Sequence, residues 1–502
     1  MLLYNFYYSD FKFLLNEITF ISLVILSLCF YTFYENKILV NSNKIISYSV
    51  FIYIIFLLIL YNFIQFFEFD CFYILFNFEF SNMFIFKSFK FLLISLIILI
   101  IYSFISLPDS LIKTIKFEYI YVFIFIFIAS FFLIFSNDFL GLFLNLELQN
   151  FGFYILFSLN KKKKISSAES NIKYYIYGGI SSAFLLYGIS LIYGATGQLN
   201  FNDLIMTLSI IEYHNFFLIL VLIFIFFGLF FKLGIAPFHF WIPGIYENAP
   251  NLITLIFLTL PKFVFFCLFI KFFYFIFYAF NSISILLFGI CIVLSFFFGS
   301  LGAINQFKIK KFMAYSAITN SGFILLGFYT FSFEGLVTSF IYLIIYLILT
   351  FTLLYFFISF IPYKNFKSTL QNLTFLNYKS FLFLNPWILF FLSFNLFSMG
   401  GIPPLSGFFS KFLLFNVLFD NNNFTLLIIS LLFSLIIIFY YIRIIKILIF
   451  TKYDFSFINF YYPIKYINGL ILVGFTYINI FFCLNPSIFF DFFYYQILSL
   501  FI

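Results

Sequence analysis

The chain has 502 residues, of which 65% are hydrophobic and 9% charged, and its mean hydropathy is +1.15. Soluble domains carry about 25% charged residues, so a soluble enzyme is excluded and a polytopic membrane protein remains. The net charge of +8 sits mostly on loop lysines, including the run Lys161 to Lys164, which suits anionic lipid headgroups better than nucleic acid.

Residue usage narrows the class further. The 97 Phe and 38 Tyr stand against a single arginine, Arg443. Residues with AT-rich codons dominate, which points to an organellar gene and the mitochondrial inner membrane, with a bacterial plasma membrane as the alternative. Cys29, Cys71, Cys267, Cys291 and Cys483 form no C-x-x-C pair. They read as small apolar residues rather than iron–sulfur or zinc ligands. His214 and His239 are the only histidines, a poor basis for ligating a haem within the membrane. No Gly-rich nucleotide loop follows a strand-like run, and no signal or arginine-rich transit peptide is evident at the start. The expectation is a chain with no metal, cofactor or redox centre of its own.

In chain order, apolar runs near the ~20 residues needed to cross a bilayer have cores at 18–34, 46–66, 88–107, 118–136, 139–159, 172–193, 215–241, 250–270, 283–301, 311–330, 335–361, 383–412, 424–448 and 467–485. The reading is an all-α polytopic fold of about fourteen transmembrane helices. Loop charge supports it. Odd-numbered loops hold most of the cations, among them Lys161 to Lys164, Lys308, Lys310, Lys311, Arg443 and Lys446. Even-numbered loops hold only Lys87, Lys90 and Lys271. The positive-inside rule then puts the odd loops in the matrix or cytoplasm and both termini opposite.

Few charges remain inside the spans. Glu169 and Lys173 are four apart at a helix start and read as a local ion pair. Glu147, Lys232, Lys262 and Lys411 have no such local account, and a charge at bilayer depth costs about 2.5–3.5 kcal/mol on the insertion scale. Lys232 opens KLGIAPFHFWIP, where Pro237 removes the helical hydrogen bond to residue 233. Lys411 follows GGIPPLSGFF, where Gly400, Gly401, Pro403 and Pro404 interrupt the twelfth span. Broken helices at depth require protein or water to satisfy the freed backbone groups. Two of them in corresponding halves point to an inverted-repeat transporter, with spans 4–8 laid on spans 9–13.

The chemistry suits protons. A lysine taken out of water releases its proton more readily, and a carboxylate moving nearby restores its hold. A mobile Glu147–lysine pair would therefore switch a lysine between holding and releasing, and His239, beyond Pro237, would relay through water. The competing readings are lysines that snorkel to the interface and a histidine that only satisfies backbone groups.

Four segments carry a family resemblance: SAESNIKYYIYGGISSAFLLYGISLIYGATG (167–197), KLGIAPFHFWIPGIYENAP (232–250), GAINQFKIKKFMAYSAITNSGFILLG (302–327) and GGIPPLSGFFSKFLLF (400–415). They closely resemble the N-type antiporter-like subunits of respiratory NADH:ubiquinone oxidoreductase, complex I, from about Asn137 to about Phe450. The resemblance implies fourteen helices with two inverted five-helix repeats and broken helices 7 and 12. It divides the chain into 1–115 (helices 1–3), 116–272 (first repeat), 273–450 (second repeat) and 451–502 (helix 14). It implies proton-transfer roles for Glu147, Lys232, His239, Lys262 and Lys411. The lysine at 411 separates this type from the M-type relatives, which have glutamate there. One departure stands out: the family usually has histidine where Asn320 stands, so that link cannot titrate. The function implied is proton translocation by a membrane-arm subunit, with flavin, iron–sulfur clusters and quinone chemistry in partner subunits, and with cardiolipin and neighbouring antiporter-like subunits around it. The alternatives are a subunit of a freestanding multi-subunit cation/proton antiporter, and a structural scaffold with vestigial charges.

Overall fold

The structure is a computed structural model that describes residues 118–159, 166–210, 216–272, 280–359, 375, 386–450 and 466–487, with 490, 491, 493 and 494. The first three predicted spans and His214 lie outside the described residues. Each of the other eleven predicted cores falls on a helix or on a helix with a break.

The helices are α1 (Glu118–Phe135), α2 (Phe139–Ser158), α3 (Ser166–Thr196), α4 (Phe201–Ile210), α5 (Phe216–Leu233), α6 (Trp241–Asn248), α7 (Asn251–Phe272), α8 (Asn281–Ile304), α9 (Ile309–Tyr329), α10 (Phe333–Ser359), α11 (Pro386–Gly400), α12 (Ser406–Asp420), α13 (Phe424–Ile449) and α14 (Tyr466–Leu484). Six of the described helices, α2, α3, α7, α8, α10 and α13, are long and apolar enough to cross a membrane. A chain in lipid must satisfy its backbone within itself, and helices do so locally. Among the described residues the regular structure is helical, apart from one backbone bridge between Asp138 and Asn200. The short α4, between the sixth and seventh predicted spans, was not anticipated.

The centre of the molecule is α7. Its membrane-length window is buried throughout, and α10, which packs against it, is nearly so, whereas α3, α8 and α13 expose broad apolar faces. In lipid the apolar effect gives no drive for helices to associate, so close packing must hold them together. Small residues and aromatic rings supply it here. A Cβ on Gly228 of α5 would lie 2.6 Å from Leu185 of α3, so these two helices touch nearly backbone to backbone. Phe153 of α2 meets Phe257 of α7 edge-on, 4.7 Å between ring centroids, a contact worth about 0.5–1.5 kcal/mol beyond area burial.

Two helix corners bond to segments far along the chain. After α1, the Asp138 carboxylate accepts from the Gly141 N–H at 2.9 Å and caps α2. The same corner bonds to the segment leaving α3, Phe139 N–H to Leu199 and Phe201 N–H to Asn137. The corner between α8 and α9 accepts at Phe307 from Phe375, beyond α10.

Candidate functional site

The charged interior is organised by two helix breaks of one design. The helix α5 stops at Leu233 and α11 at Gly400. The residues that follow, Gly234 and Gly401, have φ of +67° and +86°. Gly234 N–H donates to Phe231 and Ile235 N–H to Phe230, both at 3.1 Å; Gly401 N–H donates to Ser398 at 3.0 Å and Ile402 N–H to Phe397 at 3.2 Å. This is the Schellman pattern, whose left-handed residue favours glycine. The sequence writes it twice as Gly-Ile-x-Pro, at 234–237 and 401–404. The first break therefore falls at Gly234 and not, as expected from the sequence, at Pro237. The helix has already ended at Leu233, and Pro237, like Pro403 and Pro404, lies in the turn beyond.

The carbonyls at each break also draw a side-chain donor, and the two breaks draw different ones. At the second break Lys411, buried on α12, sends its Nζ to the carbonyls of Gly400 (2.8 Å) and Met399 (3.4 Å) and sits 5.0 Å over the Phe323 ring. At the first break the indole N–H of Trp241 takes the equivalent place and donates to the Phe231 carbonyl at 3.1 Å. The Nζ of Lys232 is buried with no hydrogen-bond partner.

Lys232 faces a cavity of ≈20 Å³ walled by Gln149, Asn150, Tyr174, Ser181, Trp241 and Pro261, among others. A void needs about 10–15 Å³ on this measure, and two or more polar partners, to hold a water. Besides Lys232, the Nε2 of Gln149 is also buried without a partner, so the site has room for one water and two unmatched donors to bind it. Glu147, half-buried on α2, lies within electrostatic reach of Lys232. It accepts from Asn150 Nδ2 at 3.1 Å, and Asn150 Oδ1 accepts from the Tyr174 hydroxyl at 3.3 Å.

Lys262 joins three helices. Buried on α7, it donates to the Ala317 carbonyl of α9 at 2.8 Å and to the Tyr346 hydroxyl of α10 at 3.2 Å. On α9, three residues past Ala317, Asn320 accepts from Tyr342 of α10 at 2.8 Å. The Tyr342–Asn320 bond has the same form as the Tyr174–Asn150 bond between α3 and α2. His239 is buried but does not line the Lys232 cavity. Its ring stacks on Phe298 of α8 with 5.0 Å between centroids, and its Nδ1 has no partner. The structure therefore brings Glu147 within electrostatic reach of Lys232, while Lys262, His239 and Lys411 each make separate contacts of their own.

Several cations read as loop charges turn out to be structural. Lys271 is buried on α7 and donates to the Ser136 carbonyl at 3.0 Å, just past α1. Lys310 is buried against the Ala249 carbonyl at the end of α6. Arg443 lies within α13, bonds the Ile304 carbonyl that ends α8, and covers the Phe307 ring. All three meet helix C-termini, where free carbonyls and the helix dipole favour a cation. Hydropathy missed them because a basic residue near the end of an apolar run looks the same whether it meets water or a neighbouring carbonyl. Lys308 and Lys311 pair with Glu247 of α6, and the expected Glu169–Lys173 pair is present. Among the described residues no cluster of three or more His, Cys, Asp or Glu is placed to hold a metal.

Fold and interior together define a multi-pass helical membrane protein that carries lysines across its core. Residues 136–437 match the sequence profile of the family described as NADH:quinone oxidoreductase/Mrp antiporter, TM, and the chain belongs to that family. NADH-quinone oxidoreductase subunit N of Pelagibacter ubique is 35% identical over 347 residues, 68% of this chain and 70% of the relative. The subunit of the same name from Nitrosomonas europaea is 31% identical over 392 residues, 74% and 77% of the two chains. The fold is shared with a chain of respiratory complex I from Thermus thermophilus, at TM-score 0.66 and 21% identity over 81% of this chain and 86% of that one. It is shared equally with a chain of the Mrp complex from Dietzia sp., at TM-score 0.70 and 15% identity over 82% and 83%.

Proposed function

We propose that this chain is a proton-translocating membrane-arm subunit of an NADH:quinone oxidoreductase. The observation that carries the reading is Lys262, an ammonium held at the junction of two helical halves by a mid-helix carbonyl and a phenol. The capping cations each finish a helix, whereas Lys262 finishes none. Lys232, unpartnered beside a water-sized cavity and within reach of Glu147, supports a switchable first half, and Lys411 serves the second. The proton would pass from the Glu147–Lys232 pair toward Lys262, with His239 alongside, and on to Lys411.

The finer organisation belongs to the same proposal. Two inverted five-helix repeats, α1–α7 (α5 with α6 counted as one broken helix, the short α4 left out) and α8–α13 (α11 with α12 counted as one), are supported by the doubled Gly-Ile-x-Pro break, the doubled Tyr–Asn pair and the matching corners. Residues 1–115 would add three spans, for fourteen in all, and 451–502 the last. Redox cofactors would sit in partner subunits, other antiporter-like subunits and cardiolipin would border the exposed faces, and the AT-rich residue bias favours the mitochondrial inner membrane. The freestanding antiporter is less well supported, because the relatives at 31–35% identity are all named as NADH-quinone oxidoreductase subunits, whereas the Mrp likeness is one of fold. Native electrophoresis with in-gel NADH dehydrogenase staining tests the proposal. The chain is expected in the active band, and its consistent absence would remove the reading.

A further inference from the structure

Glu147 and Asn150 are three apart on α2 and so share one face of that helix. Asn150, buried, sends its Nδ2 to the Glu147 carboxylate at 3.1 Å, and its Oδ1 accepts from the Tyr174 hydroxyl of α3 at 3.3 Å. An amide has one accepting end and one donating end, so a phenol that donates to Oδ1 turns the NH2 toward the carboxylate. Tyr174 has little freedom of its own. Its buried ring meets those of Phe153, Tyr154, Phe157, Trp241 and Phe257 at 5.1–6.2 Å between centroids. The amide also stands at a boundary. Asn150, Tyr174 and Lys232 wall one cavity of ≈20 Å³, and Glu147 lies outside it. The Glu147 carboxylate is therefore bonded to the wall of the Lys232 cavity and not to Lys232, whose Nζ has no partner.

Resting on the function proposed above, we propose that Tyr174 and Asn150 form a latch that holds the Glu147 carboxylate outside the Lys232 cavity. The amide N–H and the Lys232 ammonium compete for one carboxylate, which must leave Asn150 before it pairs with the lysine. A hydrogen bond to a charged group shifts such a balance by about tenfold or more. Tyr174 strengthens the hold by denying the amide its reverse orientation, in which Oδ1 would face the carboxylate and repel it. The cavity is ready for the released group. It has room for one water, and a carboxylate oxygen is of similar size. Gln149, beside Asn150 on the same wall, points an Nε2 with no partner, so two buried donors stand open there. Neither Asn150 nor Tyr174 carries a proton in this scheme. Both are positioning residues that act through Glu147.

The test uses the intact complex, in sealed vesicles with NADH as fuel. N150L keeps the bulk of the side chain and removes the amide, which leaves Glu147 resting on Lys232, and is expected to slow NADH-driven proton movement about tenfold. Y174F loses only the hydroxyl and is expected to slow it about threefold. The reading that separates a latch from packing is the position of the carboxylate. In an electron cryo-microscopy map of the assembled N150L complex, Glu147 is expected within hydrogen-bond reach of Lys232 Nζ or Gln149 Nε2. A carboxylate that keeps its parental position would overturn the latch and assign Asn150 to packing, and parental proton movement in N150L would overturn it as well. If N150L prevents assembly, Y174F serves for both measurements, since its ring still fills the same place. Absence of the unsubstituted chain from the NADH-oxidising complex would instead remove the underlying function, and is read separately by subunit content before any substitution.

Discussion

Lys411 Nζ lies 2.8 Å from the carbonyl oxygen of Gly400, so the cation of α12 closes the very helix end whose interruption admits it to the interior. Structure and chemistry therefore share one side chain. In the charged form its N–H bonds satisfy the break, and on losing a proton it keeps lone-pair and N–H capacity to stay there.

Replacing Lys411 by methionine removes both functions. The Gly400 and Met399 carbonyls lose a donor, at a cost of about 1–3 kcal/mol for a buried group left unpaired, and proton movement should fall at least tenfold. Proton uptake by vesicles, with assembly checked on native gels, reads the two effects separately. Parental pumping in assembled K411M would remove Lys411 from the path.

The two breaks should differ in their tolerance of a methyl group. Gly234→Ala meets a left-handed backbone, worth about 1–2 kcal/mol, and its Cβ would lie 1.7 Å from Ile242 Cδ1. Gly401→Ala has the same backbone problem, but its Cβ meets only the flexible end of Lys411, at 2.9–3.0 Å. The expected order of assembled protein on native gels is parent, then G401A, then G234A. Equal yields from the two variants would contradict it.

Lys271→Met should act on stability. It takes the donor from the Ser136 carbonyl and so loosens the α1–α7 contact by about 1–3 kcal/mol. Thermal unfolding of the detergent-solubilised complex should begin earlier.

Glu247 supplies a pH signature at the surface. Partial burial pushes its carboxyl up, but hydrogen bonds from Lys308 and Lys311, with their charge, outweigh this and hold it below its ordinary 4.5. A carboxylate held down in this way stabilises the fold above the unfolded value, and the contribution fades as pH falls through the lower folded value. Thermal stability of the parent should therefore drop below about pH 4.5 more than that of E247Q. The difference should be small, about 0.2–1 kcal/mol for exposed ion pairs, and weaker at high salt.

The sequence was legible where physics acts over one helix. Span lengths, the two interruptions and the odd charges at 147, 232, 262 and 411 follow from hydropathy and from the cost of burying charge. It was not legible where a partner lies far along the chain. Nothing near Lys271 announces Ser136, nothing near Arg443 announces Ile304, and Tyr342 is one of 38 tyrosines until α9 is laid beside α10. Gly234 was visible but outshone by Pro237. A left-handed glycine ends a helix without leaving a mark in hydropathy.

Lys262 and Lys271 are nine residues apart on α7, which places them about half a turn out of phase, one moored to Ala317 and the other to Ser136. A helix tied on opposite flanks cannot swivel without parting both lines in a medium that offers no substitute. α7 is thus a keel, fastened on both sides to the helices around it.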